Sequence, residues 1–236
     1  MAPRLNIDLY ADGADVREMA AARQSGLVKG FTTNPTLMRK SGVTDYESFA
    51  REALHAVGDM PVSFEVFADE FDEMERQAKR IAAWGNSVYV KIPITNTRAE
   101  SAVPLIGRLS SAGVKLNITA ILTLDQVRAV SDALAPEVPA IVSVFAGRIA
   151  DTGRDPVPLM KEAAAILRAR PKAQLLWASP RELLNIFQAD ECGCHIITVT
   201  GEILKKLAMV GKPLEELSLD TVRMFYNDAS AAGFKL

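Results

Sequence analysis

With 236 residues, 49% of them hydrophobic and 24% charged, the chain has the profile of a soluble globular protein, the usual size of a single α/β barrel. A net charge of −2 excludes the basic footprint of a nucleic-acid-binding protein, and no apolar run approaches the length of a membrane span. The opening MAPRLNIDLY lacks the apolar stretch of a secretion signal, and with two cysteines in all the expectation is a cytoplasmic protein with reduced thiols.

Short β-branched runs alternate with longer helical patterns along the chain. Strands are predicted at LNIDLYA (5–11), GFTTN (30–34) and PVSFEVF (61–67), followed by a helix over 69–84. The strand VYVKIP (88–93) precedes a helix over 98–113, and KLNITAI (115–121) and AIVSVFAG (140–147) come next. A helix over 155–171 has Asp155 at its N-cap and an apolar stripe at Leu159, Ala163, Ile166 and Leu167. Strands AQLLWAS (173–179) and HIITVT (195–200) close the series, and the tail 217–236 is predicted helical from Asp220, with Val222, Phe225 and Ala229 as its apolar residues. Alternating elements with short connections imply parallel strands and right-handed crossovers. Eight such units without a break predict a closed (β/α)8 TIM barrel as one domain over 1–236, ending in a C-terminal helix. An open doubly wound sheet is the competing architecture, weakened because ADGADV after the first strand is not a GxGxxG phosphate loop.

Cys192, Cys194 and His195 lie together in ECGCH. Zinc sites usually space their cysteines by two to four residues and need a fourth ligand. The motif therefore reads as two small residues before a buried strand, and no metal is expected.

Strand side chains two apart share a face. Ser63 pairs with Glu65, Asn117 with Thr119, Ser143 with Phe145, Tyr10 with Asp12, Tyr89 with Lys91, and Trp177 with Ser179. Each strand thus has an apolar face for the helices and another carrying polar groups near its C-terminal end. In a barrel Asp12, Asn34, Glu65, Lys91, Asn117, Thr119, Ser143 and Ser179 would converge at the top, where barrel enzymes hold their active sites. A lone buried Asn or Ser is most often a satisfied structural group; eight at comparable positions point to a site.

No histidine suits a Ser–His–Asp triad, since His55 lies in a helical stretch and His195 at a strand start, and Asp12 and Glu65 alone are too few for metal hydrolysis. A lysine walled by hydroxyls, apolar groups and two carboxylates suits Schiff-base chemistry on a ketone or aldehyde. A free lysine is neutral in roughly 0.04% of molecules at pH 7. Desolvation in a barrel penalises the charged form, and a fall of three in pKa corresponds to about 4 kcal/mol. The carboxylates would act as general acid and base. The plain alternative is a buried ion pair of Lys91 with Glu65 or Asp12, although such pairs often cost more in desolvation than they return.

The segments GFTTNPTL (30–37), VYVKIPIT (88–95), LNITAILT (116–123), SVFAGRIAD (143–151) and WASPREL (177–183) resemble, in order and spacing, the signature segments of the transaldolase family. The resemblance covers nearly the whole chain, and its length is similar to that of the short subfamily that includes fructose-6-phosphate aldolases. It implies that Lys91 forms the Schiff base with a ketose donor, Asp12 moves the proton at the cleaved bond, and Glu65 with Thr119 handles the catalytic water. It further implies that Asn34 and Asn117 hold hydroxyls of the dihydroxyacetone unit, that Ser143 lines the pocket, and that Arg148, Ser179 and Arg181 bind phosphate. Guanidinium forks suit a phosphate dianion.

Within the short subfamily, the resemblance associates Gln, Tyr and an apolar residue with aldolase activity at positions where this chain has Glu65, Phe145 and Asn117. All three indicate transaldolase. Phe145 has no phenol to protonate the donor-derived carbanion, so the bound enamine would wait for an aldose acceptor. The expectation is transfer of a dihydroxyacetone unit between sugar phosphates, with no cofactor, in pentose-phosphate or a secondary sugar pathway, by a homo-oligomer such as the pentamers and decamers of similar proteins. The competing functions are a class I aldolase releasing dihydroxyacetone and a non-catalytic sugar-phosphate-binding protein. Two positions depart from the pattern. Trp177 stands where the family usually has a small residue, and Pro180 replaces an aromatic. Parity points Trp177 into the barrel, either as core filling or as a reshaped pocket.

Overall fold

In the computed structural model residues 5–235 are described; residues 1–4, where the stretch read for a leader begins, and residue 236 at the end of the predicted tail lie outside them. The elements run β1 (Asp8–Asp12), α1 (Val16–Gln24), β2 (Gly30–Thr32), α2 (Pro35–Lys40), α3 (Tyr46–Val57), β3 (Val62–Glu65) and α4 (Phe71–Ala82). They continue with β4 (Val88–Pro93), α5 (Val103–Ser111), β5 (Leu116–Ile121), α6 (Leu124–Ala133), β6 (Ala140–Val144), α7 (Ala146–Ala150) and α8 (Val157–Leu167). Last come β7 (Ala173–Trp177), α9 (Leu184–Glu191), β8 (Ile196–Val199), α10 (Gly201–Lys206), a 3₁₀ turn (Leu207–Met209) and α11 (Leu214–Ala232). Every neighbouring strand pair is parallel and β8 returns to β1, so the sheet closes as an eight-stranded (β/α)8 TIM barrel. No helix among the described residues is long and apolar enough to cross a membrane.

Local chemistry sets the boundaries. Asp15 and Asp45 accept backbone N–H groups at the starts of α1 and α3, and Thr123 with Gln126 forms a capping box on α6. Asp155 accepts from Val157 N at 3.0 Å, although Pro156 occupies the cap position of α8. The buried stripe of α8 is Met160, Ala163 and Leu167, with the predicted Leu159 and Ile166 only partly buried. β2, β3, β6, β7 and β8 end earlier than predicted, β4 and β5 end where predicted, and β1 runs one residue further. After β2, Asn34 becomes the cap of α2 with Pro35 behind it, and after β6 the chain turns at once into α7. The tail helix starts at Leu214, not at Asp220, because Pro213 and the first-turn Glu215 and Glu216 make a good N-terminus; Asp220 sits within the helix and pairs with Lys212.

The two strand faces separate two cores. Phe31, Phe64, Val90, Ile92, Ile118, Val142 and Ile197 face outward and are buried beneath the helices. Inside, Tyr10, Ile141, Leu176 and Ile196, with Tyr89 packed on them, form a small apolar plug. Gly30 belongs to this plug: a Cβ there would lie 2.5 Å from the Tyr10 ring. The plug forms a floor, and the polar strand ends lie above it.

Candidate active site

Above the floor opens a cavity of about 530 Å³. All eleven residues singled out from the sequence line it: Lys91, Asp12, Glu65 and Thr119; Asn34, Asn117, Ser143 and Phe145; Arg148, Ser179 and Arg181. Strand register explains the clustering, since Lys91 on β4 is paired with Glu65 on β3 and with Asn117 on β5.

Lys91 is 7% exposed, and its Nζ donates to Thr33 O at 2.9 Å and lies 3.1 Å from Glu65 Oε2. The ion pair weighed from sequence is therefore present, at the edge of an open cavity. Across the barrel, Thr32 Oγ1 donates to Asp12 Oδ1 at 2.7 Å and meets Thr198 Oγ1 at 2.5 Å. Because Thr32 gives its one proton to the carboxylate, Thr198 is the donor between the two hydroxyls. Burial pushes the Asp12 carboxyl above its ordinary range, opposed first by the Lys91 charge and then by the Thr32 hydrogen bond. The two carboxylates thus have different surroundings, Glu65 beside the ammonium and Asp12 on a hydroxyl chain.

On the other side a second buried chain fixes Asn117. Ser143 Oγ donates to Asn117 Oδ1 at 2.6 Å, and Asn117 Nδ2 donates to Ser63 Oγ at 3.0 Å. Both ends of the amide are held, so its orientation is set, and one Nδ2 hydrogen remains available. Asn34 Oδ1 caps α2 through Leu37 N at 3.0 Å. At the end of β5 the pairing with β6 slips between Ile118 and Ile121, where Ala120 adopts φ 61° and lines the cavity. A bulge of this kind at a barrel rim re-aims adjacent side chains.

Parity fails at β7. Leu176 and Ala178 face inward, while Trp177 is buried in the outer core and lines no part of the cavity. Ser179 still reaches the site because its φ of 61° turns the chain over after the strand ends. Trp177 is therefore core filling, and its Nε1 has no hydrogen-bond partner among the described residues. The turned-over segment lies against α7, where Gly147 N donates to Ala178 O at 3.3 Å. A Cβ on Gly147 would fall 1.5 Å from Ser179 O, so the two segments carrying Arg148 and Arg181 meet through a glycine.

Sequence reasoning omitted Thr32 and Thr198, both of which line the cavity, and assigned no role to Ser63, which holds Asn117. Inward parity on β2 and β8 was the available signal. At ECGCH, Cys192 Sγ lies 3.7 Å from Val157 O and His195 Nδ1 accepts from Leu175 N at 3.0 Å, so both engage neighbouring backbone.

Comparisons with known proteins agree with this architecture. A putative phosphonomutase from Burkholderia cenocepacia J2315 superposes with a TM-score of 0.58 at 12% identity, covering 95% of this chain and 96% of that one, a likeness of fold alone. A probable transaldolase of Dehalococcoides mccartyi is 35% identical over 209 residues, which is 88% of this chain and 92% of the relative. Probable transaldolase 2 of Listeria monocytogenes is 36% identical over 199 residues, 84% and 87% of the two chains. The family model described as transaldolase/fructose-6-phosphate aldolase matches residues 9–236. With that match spanning nearly the full length, the chain belongs to the transaldolase/fructose-6-phosphate aldolase family.

Proposed function

We propose that the chain is a transaldolase that moves a dihydroxyacetone unit from a ketose phosphate to an aldose phosphate through a Schiff base on Lys91. The observation that carries the reading is the placement of the Lys91 Nζ at the cavity wall, with Glu65 at 3.1 Å and Asp12 lining the same space. In the proposed cycle the Nζ, once its proton has passed to Glu65 or water, adds to the C2 carbonyl. The carbinolamine loses its hydroxyl as water, helped by Glu65 and Thr119, to give a protonated imine. Asp12 takes the proton of the C4 hydroxyl as the C3–C4 electron pair moves toward the imine, and the aldose leaves. A carboxyl held above its ordinary range is suited to accepting that proton and returning it to the acceptor's aldehyde oxygen. Asn34 and the fixed amide of Asn117 would orient hydroxyls, and Ser143 and Phe145 would shape the donor end. Arg148, Ser179 and Arg181 would meet the terminal phosphate.

Borohydride reduction in the presence of fructose 6-phosphate, followed by peptide mass spectrometry, tests the reading. A reduced adduct on Lys91 is expected; its absence in folded protein overturns the Schiff base. Turnover of fructose 6-phosphate that needs no erythrose 4-phosphate would instead indicate an aldolase. We place the activity in the cytoplasm, in sugar-phosphate metabolism, in a homo-oligomer. The oligomer is supported by α11, which buries no residue and leaves Val222, Phe225 and Tyr226 each more than 60% exposed.

A further inference from the structure

Two arginines at a phosphate subsite lead to the expectation of two free cations, yet the fork of Arg181 is already engaged. Its Nε donates to Asp151 Oδ1 at 2.8 Å and its Nη2 to Asp151 Oδ2, while Nη1 reaches Ser179 Oγ at 3.2 Å. A guanidinium has five N–H donors, so one remains on each terminal nitrogen. The guanidinium of Arg148, on the same short helix that Asp151 caps, enters no ion pair or hydrogen bond among the described residues, while its backbone N donates to Phe145 O at 2.9 Å. The geometry is fixed from behind as well, since Arg181 N donates to Asn185 Oδ1 at 2.7 Å. Summed formally, Arg148, Arg181 and Asp151 present a single positive charge to whatever anion enters.

We propose that Asp151 is a specificity-determining residue: by holding one edge of Arg181 it halves the charge offered to a terminal phosphate and narrows the discrimination between phosphorylated and unphosphorylated sugars. This rests on the phosphate role proposed above for Arg148, Ser179 and Arg181. The carboxylate acts twice, placing the guanidinium beside Ser179 and competing with the incoming anion. Replacement by asparagine removes the charge and keeps half of the fork, because the amide oxygen still accepts from Arg181 Nε while the amide nitrogen, a donor, cannot accept from Nη2.

A unit charge a few ångströms from an exposed phosphate changes its binding by about fivefold in high dielectric, less at high salt. Asp151→Asn should therefore tighten inorganic phosphate about fivefold by titration calorimetry. It should also lower the ratio of KM for fructose 6-phosphate to KM for dihydroxyacetone by a similar factor. In an Arg181→Gln background the same substitution should give a smaller gain, which a double-mutant cycle measures. An unchanged or weakened phosphate affinity in Asp151→Asn, with Arg148→Gln and Arg181→Gln each weakening it, overturns the role of Asp151 and leaves the phosphate site standing. If neither arginine substitution alters phosphate binding or the KM ratio, the phosphate reading itself fails, and this proposal with it.

Discussion

Gly147→Ala sets two physical effects against each other. In a helix interior alanine is favoured over glycine by about 1 kcal/mol, and Gly147 lies within α7. The added Cβ, however, would stand 1.5 Å from Ser179 O and 2.6 Å from Ser179 C. Carbon–oxygen contacts normally close to no less than about 3.3 Å, so α7 and the segment after β7 must part by nearly 2 Å. The obstacle is backbone at a residue with φ 61°, so no rotamer change relieves it. A backbone overlap of this depth falls in the upper part of the overpacking range, about 2–3 kcal/mol, which leaves a net cost of about 1–2 kcal/mol after the helical gain. At about 2–4 °C per kcal/mol for a chain of this size, the melting temperature should fall by roughly 2–8 °C. Because Arg148 and Arg181 lie on the two segments forced apart, KM for fructose 6-phosphate should rise at least tenfold. Thermal unfolding and steady-state kinetics read the two effects. An unchanged or raised melting temperature with an unchanged KM would show that the contact constrains nothing.

Thr32→Val removes a hydrogen bond that pulls the Asp12 carboxyl back toward its ordinary range, so the acid limb of kcat/KM should move to higher pH; a limb that stays in place refutes the assignment. Partial burial holds the His195 imidazole below its usual range, and its Nδ1 accepts from Leu175 N. The folded state thus binds this proton less readily than the unfolded chain, and stability present above pH 6.5 should be lost as pH falls through the folded value. His195→Gln should flatten that loss in denaturation at pH 7.5 and 5, and equal losses would contradict it. Trp177→Phe removes a buried N–H without a partner, a group whose burial costs about 1–3 kcal/mol, against some lost packing. Net stability should change by no more than about 1 kcal/mol and acceptor preference not at all, whereas a tenfold change in preference would return Trp177 to the site. If α11 joins subunits, Phe225→Asp should lower the sedimenting mass, and an unchanged mass excludes that face as the interface.

The barrel was legible because its strands obey one simple rule. β1, β3, β4 and β5 each place a polar pair inward by strict alternation and β6 a single serine, and Asp12, Glu65, Lys91, Asn117 and Ser143 arrived where parity put them. Strand ends were not legible, because the competing signal is local. Asn34 reads as a strand residue until its side chain is seen capping α2, and Phe145 stands where β6 gives way to α7. Ser179 and Trp177 share a face on paper, and one left-handed residue separates them, which no pattern of hydrophobicity reveals for a serine. The commitment of Arg181 was equally hidden, since nothing in SPR indicates that Asp151 reaches it across a chain separation of 30 residues.

Lys91 was the position the sequence read in two ways, as half of a buried ion pair or as a nucleophile. The structure makes these compatible. A buried pair with little else to hold it is a poor source of stability, because desolvation offsets most of the attraction. Here the ammonium also donates to Thr33 O and faces a cavity, so it is satisfied at rest and accessible when substrate enters. Under the proposed mechanism the partner that satisfies the resting ammonium is also the base nearest to it, and Glu65 at 3.1 Å can receive the proton that the amine must shed. Glu65→Gln keeps the size and a hydrogen-bond acceptor but removes the charge. It should slow formation of the borohydride-trapped adduct more than it changes the amount trapped at saturation. A variant that traps at the wild-type rate would show that Glu65 serves the ion pair alone.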